Sequence, residues 1–322
     1  MSIIVHGGAS PLACGGVAVP RIAVLPTDHR LAPGAVAAVQ QGGAELVDVA
    51  DATALVWVEP AGAPALGEVL AEHDGLDWVQ LPFAGVEPFV PVIDANRRWT
   101  CGKGVYAEPV AEHVLTLALA GFRGLSTYVP ASTWEAPEGR NLLGAKVTIL
   151  GAGGITESLL RLLEPFGCDV TVLRRRDGEP LPGATVLPTS ALRGVLPSTD
   201  LLVIALALTQ ETQGIVGAPE LSLLPEHAWI VNVARGGHVD HDALVHALRS
   251  GAIGGAALDV TDPEPLPDGH PLWAEPRCII TPHVANTPEM GAPLLFDRIT
   301  DNVRRYGTGE ELVGPVDPLL GY

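Results

Sequence analysis

The chain is poor in basic residues and contains no long apolar run, and each shortage excludes a class of protein. Its 322 residues include 19 Lys and Arg against 37 Asp and Glu, which gives a formal net charge of −18. A field of this sign repels nucleic acid and anionic membranes, so we expect neither as a partner. No apolar stretch reaches the ~20 residues that a membrane-spanning helix needs. No Lys or Arg precedes Arg21, so the charged start of a secretory signal is missing.

Cysteine is also scarce, with four residues scattered along the chain and no C-x-x-C pair. This spacing predicts free thiols in a reducing compartment, and together with the missing secretory signal it predicts a cytoplasmic protein. What the chain does contain is 47% hydrophobic residues, enough for a large core. Its length favours two domains over one.

Short apolar runs alternate with helical segments, which predicts parallel sheets with helices on both faces. The predicted strands are 21–26, 44–49, 54–58, 78–81, 146–150, 169–173, 201–206, 229–233, 255–259 and 278–281. The predicted helices are 35–41, 108–123, 157–166, 243–249 and 294–306. The last six strands match the count of a full dinucleotide-binding sheet.

A glycine-rich segment, V-T-I-L-G-A-G-G-I-T at 147–156, predicts a strand, a tight turn and a helix that together hold a dinucleotide pyrophosphate. The candidate binding residues are Gly151, Ala152, Gly153, Gly154 and Ile155. Gly151 would make the turn, and Gly153 would let the backbone approach the pyrophosphate. Thr156 stands where the motif has its third glycine, so we expect a slightly shifted helix or a looser cradle.

The next predicted strand ends in T-V-L-R-R-R at 171–176. An NAD site has an acidic residue about 20 residues beyond the glycines, to bind the ribose hydroxyl. Here that position is Arg174, and Arg175 and Arg176 follow. Because a guanidinium matches a phosphate with two hydrogen bonds, the segment predicts NADP(H) in preference to NAD(H). The alternative is a solvated, charged strand end.

Three polar residues near the C-terminus each follow a predicted strand: Arg235 in N-V-A-R-G-G, Glu264 in L-D-V-T-D-P-E-P and His283 in T-P-H-V-A. Open parallel sheets bind ligands at these strand ends. We expect Glu264 to hydrogen-bond to His283, fix its tautomer and raise its pKa. The three groups suit proton transfer at an oxygen beside a carboxylate. Together with the predicted dinucleotide-binding turn, they indicate hydride transfer to or from a 2-hydroxy or 2-keto acid. Taken singly, they are also explained as a surface cation, a loop acid and a structural histidine.

A second group of histidines, His238, His241 and His246, has a spacing that raises the question of a metal site. Asp240 and Asp242 are better explained as the cap and first-turn acid of the helix that follows. We therefore predict no metal there.

Together these segments resemble the D-isomer-specific 2-hydroxyacid dehydrogenase family, most densely from Leu142 to Thr287. The resemblance implies that Arg235 binds the substrate carboxylate and carbonyl, and that His283, paired with Glu264, is the acid/base. It also implies cofactor contacts from Asp259, at the nicotinamide carboxamide, and from Thr209. The backbone amides that would hold the substrate carboxylate are those of Ala84, Gly85 and Val86.

The same resemblance implies an architecture. A Rossmann-type, doubly wound parallel sheet over 107–287 would be inserted into a smaller, flavodoxin-like substrate-binding domain formed by 1–106 and 288–322. The substrate would lie in a cleft that closes to exclude water. Family members dimerise through the cofactor domain, so we expect a homodimer to which helix 108–123 contributes. Besides Thr156 and Arg174, Ala207 departs from the family, which usually has proline there, and this bears on cofactor affinity.

The range of possible substrates is narrowed by the scarcity of basic residues in the first 107 positions, because a phosphorylated substrate needs a second basic patch. We therefore expect a small keto acid such as glyoxylate or hydroxypyruvate. The alternatives are a phosphoglycerate dehydrogenase-like enzyme, a dehydrogenase for another acid such as phosphite, and a non-enzymatic NAD(P)-sensing interaction protein. The sensor is disfavoured because it has no need of Arg235, Glu264 and His283 together.

Overall fold

A computed structural model describes residues 19–175 and 180–318 of the chain. Arg176, the last of the three arginines, lies outside these ranges. The chain forms two compact units. The first contains the described residues up to Cys101 and those from Leu295 onward, and the second contains Gly102–Leu294.

The first unit is built on a five-stranded parallel sheet. Its strands are β1 (Arg21–Leu25), β2 (Glu45–Leu46), β3 (Ala54–Trp57), β4 (Trp78–Gln80) and β5 (Arg98–Thr100). Their order is β2-β1-β3-β4-β5, with every pair parallel, which is the order of flavodoxin-like sheets. All four side chains of β3 are buried, as expected for a central strand covered on both faces.

The second unit is built on a seven-stranded parallel sheet. Its strands are β6 (Lys146–Leu150), β7 (Asp169–Arg174), β8 (Ala184–Pro188), β9 (Leu201–Ile204), β10 (Trp229–Asn232), β11 (Gly255–Leu258) and β12 (Cys278–Ile280). The order β12-β11-β10-β9-β6-β7-β8 reverses direction between β6 and β9. This is a doubly wound, dinucleotide-binding order, and ligands bind such sheets at the reversal.

Nine α-helices flank the strands in the described ranges. They are α1 (Ala32–Gln41), α2 (Ala63–Glu72), α3 (Ala107–Phe122), α4 (Leu125–Tyr128), α5 (Gly154–Leu163), α6 (Leu192–Val195), α7 (Ala218–Leu221), α8 (His241–Ser250) and α9 (Pro288–Thr308). Helix α3 packs on α5 and β10. Gly121 of α3 lies against the indole of Trp229, where a Cβ atom would come within 2.3 Å of the ring. Within the described ranges, none of the helices combines the length and apolar character needed to cross a bilayer.

The predicted fold class, an α/β protein with a Rossmann-type parallel sheet and a second, smaller α/β unit, is confirmed. The count of six strands for the larger sheet is wrong by one, because β8 was not predicted, and β5 was missed in the smaller sheet. Both are edge strands. Arg98 of β5 is exposed, and no residue of β8 is fully buried. Edge strands of this kind lack the apolar run from which a buried strand is recognised.

Candidate functional site

The predicted glycine turn lies where the order of the larger sheet reverses. Gly151 follows β6 with a φ of +108°, and its amide donates to the carbonyl of Leu173, at 2.8 Å. A Cβ atom at this position would lie 2.4 Å from the carbonyl oxygen of Ala205, which follows β9. Glycine is required here by both the backbone conformation and the neighbouring strand.

Helix α5 begins directly after this turn. Gly153 is its N-cap, and no side chain caps the helix. A Cβ atom on Gly153 would meet nothing within 4 Å, whereas one on Gly154 would lie 3.1 Å from the Cβ of Ala107 in α3. Gly154 therefore permits close packing of α3 and α5, and the space beside Gly153 suits a phosphate at the helix N-terminus. The residues present thus fit a dinucleotide pyrophosphate.

Thr156 has a packing role of its own. It is fully buried, and its hydroxyl donates to the carbonyl of Gly151 at 2.8 Å. This bond ties the first turn of α5 to the glycine turn. The substitution of the third glycine is therefore accommodated by a hydrogen bond that glycine does not make.

The two described arginines of the predicted phosphate site lie at the end of β7. Arg174 is its last residue, and the guanidinium of Arg175 donates to the carboxylate of Glu211 at 3.1 Å. Glu211 belongs to the loop after β9, which also carries Thr209. That loop is closed by Thr212, whose hydroxyl accepts from the Thr209 amide and donates to the carbonyl of Ala207, both at 2.8 Å.

Arg235 follows β10 and is placed by the asparagine of its own segment. The side-chain amide of Asn232 donates to the carbonyl of Arg235 at 2.9 Å and accepts from the amide of Ala234 at 3.1 Å. The next residue, Gly236, touches the segment after β11, because a Cβ atom there would lie 1.9 Å from the carbonyl carbon of Thr261. The strand-end segments of β10 and β11 are therefore in direct backbone contact.

Glu264 and His283 form a hydrogen-bonded pair. Nδ1 of His283 lies 2.6 Å from Oε1 of Glu264, and the two side chains are 51% and 42% exposed. The second carboxylate oxygen accepts from the amide of Thr261, at 3.5 Å. Because Glu264 occupies Nδ1, Nε2 is the nitrogen available to exchange a proton with a substrate. Half-exposure gives a small molecule access to it.

Asp259 contacts the segment that carries His283 and is almost completely buried. Its carboxylate accepts from the Thr281 hydroxyl at 2.6 Å and from the amides of Val284 and Ala285 at 2.9 and 3.0 Å. Burial by itself raises the pKa of Asp259, but these hydrogen bonds and that of His113 outweigh it and lower the pKa to about 2. The anion thus holds the segment that carries His283.

His113 is a residue of this cluster that the sequence did not reveal. It projects from α3 to within 3.2 Å of the Thr281 hydroxyl and 3.4 Å of the Asp259 carboxylate. A single histidine within an apolar helix, E-H-V-L-T-L at 112–117, was the only signal in the sequence. Its partners are more than 140 residues away along the chain, so no local pattern points to them.

Two of the three histidines considered for a metal site, His238 and His241, contact backbone carbonyls of neighbouring segments. His238 is completely buried with Nδ1 2.9 Å from the carbonyl of Arg235, and Nδ1 of His241 lies 3.0 Å from the carbonyl of Asp262. Burial lowers the pKa of both rings. As predicted, Asp240 caps helix α8, accepting from the amide of Ala243. In the part of the chain that the structure describes, no group of three or more His, Cys, Asp or Glu is arranged to hold a metal.

The predicted substrate-binding amides belong to the first unit. The segment of Ala84, Gly85 and Val86 follows β4, and Val86 is buried while Ala84 is exposed. Just before it, the amide of Leu81 donates to the carbonyl of Thr100 at 2.7 Å, and the carbonyl of Leu81 accepts from the side chain of Gln80 at 2.8 Å.

Comparisons with known proteins bear on the whole chain. A family model described as "D-isomer specific 2-hydroxyacid dehydrogenase, NAD binding domain" matches residues 114–285. Glyoxylate/hydroxypyruvate reductase A of Yersinia enterocolitica is 32% identical over 286 residues, which cover 84% of this chain and 87% of the relative.

Two crystal structures extend the similarity to the fold. A D-isomer specific 2-hydroxyacid dehydrogenase from Xanthobacter autotrophicus, in complex with NADPH and MES, has a TM-score of 0.81 and 29% identity, over 95% of this chain and 100% of that one. The NADPH-dependent glyoxylate/hydroxypyruvate reductase from Sinorhizobium meliloti, in complex with NADP and sulfate, has a TM-score of 0.77 and 25% identity, over 94% and 100%. The chain therefore belongs to the D-isomer specific 2-hydroxyacid dehydrogenase family, as an NAD(P)-dependent enzyme.

Proposed function

We propose that the protein interconverts a small 2-keto acid, of the glyoxylate or hydroxypyruvate type, and its D-2-hydroxy acid, with NADP(H) as cofactor. The observation that carries the proposal is the pair formed by His283 and Glu264, with Nδ1 and Oε1 2.6 Å apart, at the ends of neighbouring strands. Arg235 follows the next strand of the sheet. The names of the Yersinia and Sinorhizobium relatives support this substrate class.

The chemistry follows from these three side chains. When bound, the nicotinamide supplies the hydride. Arg235 binds the substrate carboxylate and thereby orients the carbonyl group. As negative charge develops on the carbonyl oxygen, Nε2 of His283 donates a proton to it, and the guanidinium of Arg235 stabilises the charge. Glu264 accepts the Nδ1 hydrogen and so fixes the orientation of the ring throughout.

The cofactor would be held by the second unit. Gly151, Ala152, Gly153, Gly154 and Ile155 form the proposed pyrophosphate cradle. Thr209 and Asp259 are proposed to contact the cofactor nearer its nicotinamide end. The preference for NADP(H) rests on Arg174 and Arg175, which would bind the ribose phosphate. The NADPH and NADP complexes of the two structural neighbours support it.

Cofactor preference is tested by steady-state titration of NADPH and NADH with the wild type and with Arg174→Asp. We expect the lower KM for NADPH, and a loss of that preference in Arg174→Asp because the variant restores the acid of an NAD site. Arg161→Asp, on the exposed surface of α5, is the matched charge control. A lower KM for NADH in the wild type contradicts the assignment.

The first unit is proposed to bind substrate through the amides of Ala84, Gly85 and Val86. Its local structure supports this role, because hydrogen bonds from Gln80 and to Thr100 fix the start of the segment. The second unit is correspondingly the proposed dinucleotide-binding domain, and the family match to residues 114–285 supports that division.

We propose that the protein forms a homodimer and that the segment following α3 contributes to the contact between the two subunits. Four large apolar side chains there are exposed: Leu125 (45%), Val129 (78%), Trp134 (101%) and Leu143 (64%). An exposed apolar set of this kind is typical of an interaction surface. By contrast, α3 buries much of its apolar face against its own unit, so the segment after it is the stronger candidate for the contact.

The substrate is identified by following the loss of NADPH absorbance with a panel of keto acids: glyoxylate, hydroxypyruvate, pyruvate and phosphohydroxypyruvate. We expect the highest kcat/KM for glyoxylate or hydroxypyruvate. Preference for the phosphorylated acid would favour the phosphoglycerate dehydrogenase-like alternative. Binding of NADPH without turnover of any acid would favour a sensor and contradict the proposal.

A further inference from the structure

His113 has no part in the chemistry proposed above, yet it contacts the segment that carries His283. Its Nε2 atom lies 3.2 Å from Oγ1 of Thr281 and 3.4 Å from Oδ1 of Asp259. The imidazole is 18% exposed and the Asp259 carboxylate 1%. The contact joins α3 to a strand end 168 residues further along the chain.

The hydrogen bonds around Thr281 determine which ring nitrogen of His113 carries the hydrogen. The Thr281 hydroxyl donates to Asp259 at 2.6 Å. A hydroxyl has a single proton, so Oγ1 can only accept from His113. Nε2 of His113 is therefore the donor in this contact, and it adds to the set of donors that surround the buried Asp259 carboxylate.

Asp259 holds the chain on both sides of His283. Its carboxylate binds Thr281 before the histidine and the amides of Val284 and Ala285 after it, and its backbone carbonyl accepts from the amide of His283 at 2.9 Å. The backbone of His283 has a φ of 53°, in the left-handed region that residues other than glycine rarely adopt. A residue keeps such a conformation only when its neighbours enforce it.

We infer that His113 is a positioning residue for the acid/base imidazole of His283. Through Thr281 and Asp259 it keeps the segment 281–285 in the one conformation that presents the His283 ring to the substrate. The inference rests on the proposed role of His283. Because Arg235, the proposed carboxylate anchor, belongs to another strand end, loss of the His113 donor affects proton transfer much more than binding of the keto acid.

The test compares His113→Met with His113→Gln. Both replacements are unbranched and favour helices, but only glutamine keeps a side-chain N–H donor. We expect kcat to fall about tenfold in His113→Met, because a small displacement of a catalytic group is costly. The KM for the keto acid should stay within about twofold of the wild type. In His113→Gln, kcat should recover to within about threefold of the wild type.

One further measurement, the solvent isotope effect on kcat, separates positioning from general stabilisation. Misaligned proton transfer should increase the solvent isotope effect on kcat in His113→Met but not in His113→Gln. Equal kcat values in the two variants, or a raised KM with an unchanged kcat, overturn the inference. If His113→Met does not fold, the same comparison is made between Thr281→Val, which loses the hydroxyl, and Thr281→Ser, which keeps it.

A parallel assay of His283→Ala distinguishes failure of this inference from failure of the proposed function. Retained turnover in His283→Ala overturns both. An inactive His283→Ala together with a normal kcat and solvent isotope effect in His113→Met overturns only the role of His113.

Discussion

The two parallel sheets use polar side chains in different ways. In the smaller sheet, Trp78 donates to Thr100, Thr100 donates to Gln80, and Asn302 of α9 donates to the same Gln80 oxygen, each at 2.8 Å. All four residues are at most 1% exposed. Asn302 also exchanges hydrogen bonds with the backbone of Val313. The network is closed, since each member is bonded to another protein group.

At the strand ends of the larger sheet, the ring of His283 is only partly hydrogen-bonded to protein groups. The ring of His283 uses one nitrogen for Glu264 and keeps the other at a half-exposed surface. The carboxylate of Asp259, which holds the segment of His283, is by contrast buried and hydrogen-bonded, like the groups of the smaller sheet. The difference indicates that the closed, buried network stabilises the fold, whereas the half-exposed ring of His283 has the access that its proposed role requires.

The largest expected effect is a loss of activity on replacement of His283, whose ring is only partly hydrogen-bonded to protein. Replacement of His283 by Ala removes the proposed proton donor, and kcat should fall about 10³-fold or more. Cofactor binding and thermal unfolding should hardly change, because the side chain is half exposed. Stopped-flow or steady-state assays with NADPH and glyoxylate give the rate, and calorimetry gives the unfolding temperature. Turnover near that of the wild type would remove His283 from the mechanism.

The closed network should respond in the opposite way. Asn302→Leu leaves the Gln80 oxygen short of a donor and both Val313 backbone groups without their side-chain partner, at a cost of about 2–4 kcal/mol in the free energy of unfolding. Activity per folded molecule should stay close to that of the wild type. Urea titration measures the stability, and kcat at low temperature serves as the control. A variant with the stability of the wild type but reduced activity would contradict a stabilising role for this network.

Asp259 sharpens the comparison because its carboxylate is buried and hydrogen-bonded, like the groups of the smaller sheet, yet it holds the segment that carries His283. Its pKa is lowered to about 2 from an unfolded value of 3.8, so the anion contributes stability above about pH 4. That contribution, ~2 kcal/mol from the size of the shift, is lost as the pH falls from about 4 towards 2. Asp259→Asn should lack this part of the acid dependence. Urea titrations of both proteins across this range measure it, and identical pH slopes would contradict it.

The smallest effect is expected at the solvent side of the closed network. Tyr306 stacks near Trp78, with ring centroids 5.0 Å apart, and its hydroxyl donates to Asp77. Burial and then the Asp77 carboxylate raise the pKa of Tyr306 from 10.0 to about 12. The neutral hydroxyl therefore contributes stability below about pH 10, and this contribution is lost as the pH rises from about 10 to about 12. Tyr306→Phe should change stability by less than about 1 kcal/mol at neutral pH. It should also weaken the alkaline loss seen by circular dichroism, and an unchanged alkaline profile would exclude this role for Tyr306.

Much of the fold was readable from the sequence because each signal is local. Apolar runs such as L-L-V-I at 201–204 predict buried strands, and Gly151 predicts a turn that no side chain fits. The edge strand β8 was missed because none of its residues is fully buried, and β5 was missed because its three residues, R-W-T, are too few to form an apolar or alternating pattern. The predicted contact between Glu264 and His283 is present at 2.6 Å, whereas the catalytic roles of these residues stay predictions.

What the sequence determined by itself is the set of strand ends and the polar residue that stands at each. Only the tertiary structure decided which groups those residues are bonded to. His113 reaches Thr281 across 168 residues, and Asn302 reaches Gln80 across 222. Periodicity reports whether a side chain is buried, but its hydrogen-bond partner is fixed by the packing of elements that are distant along the chain.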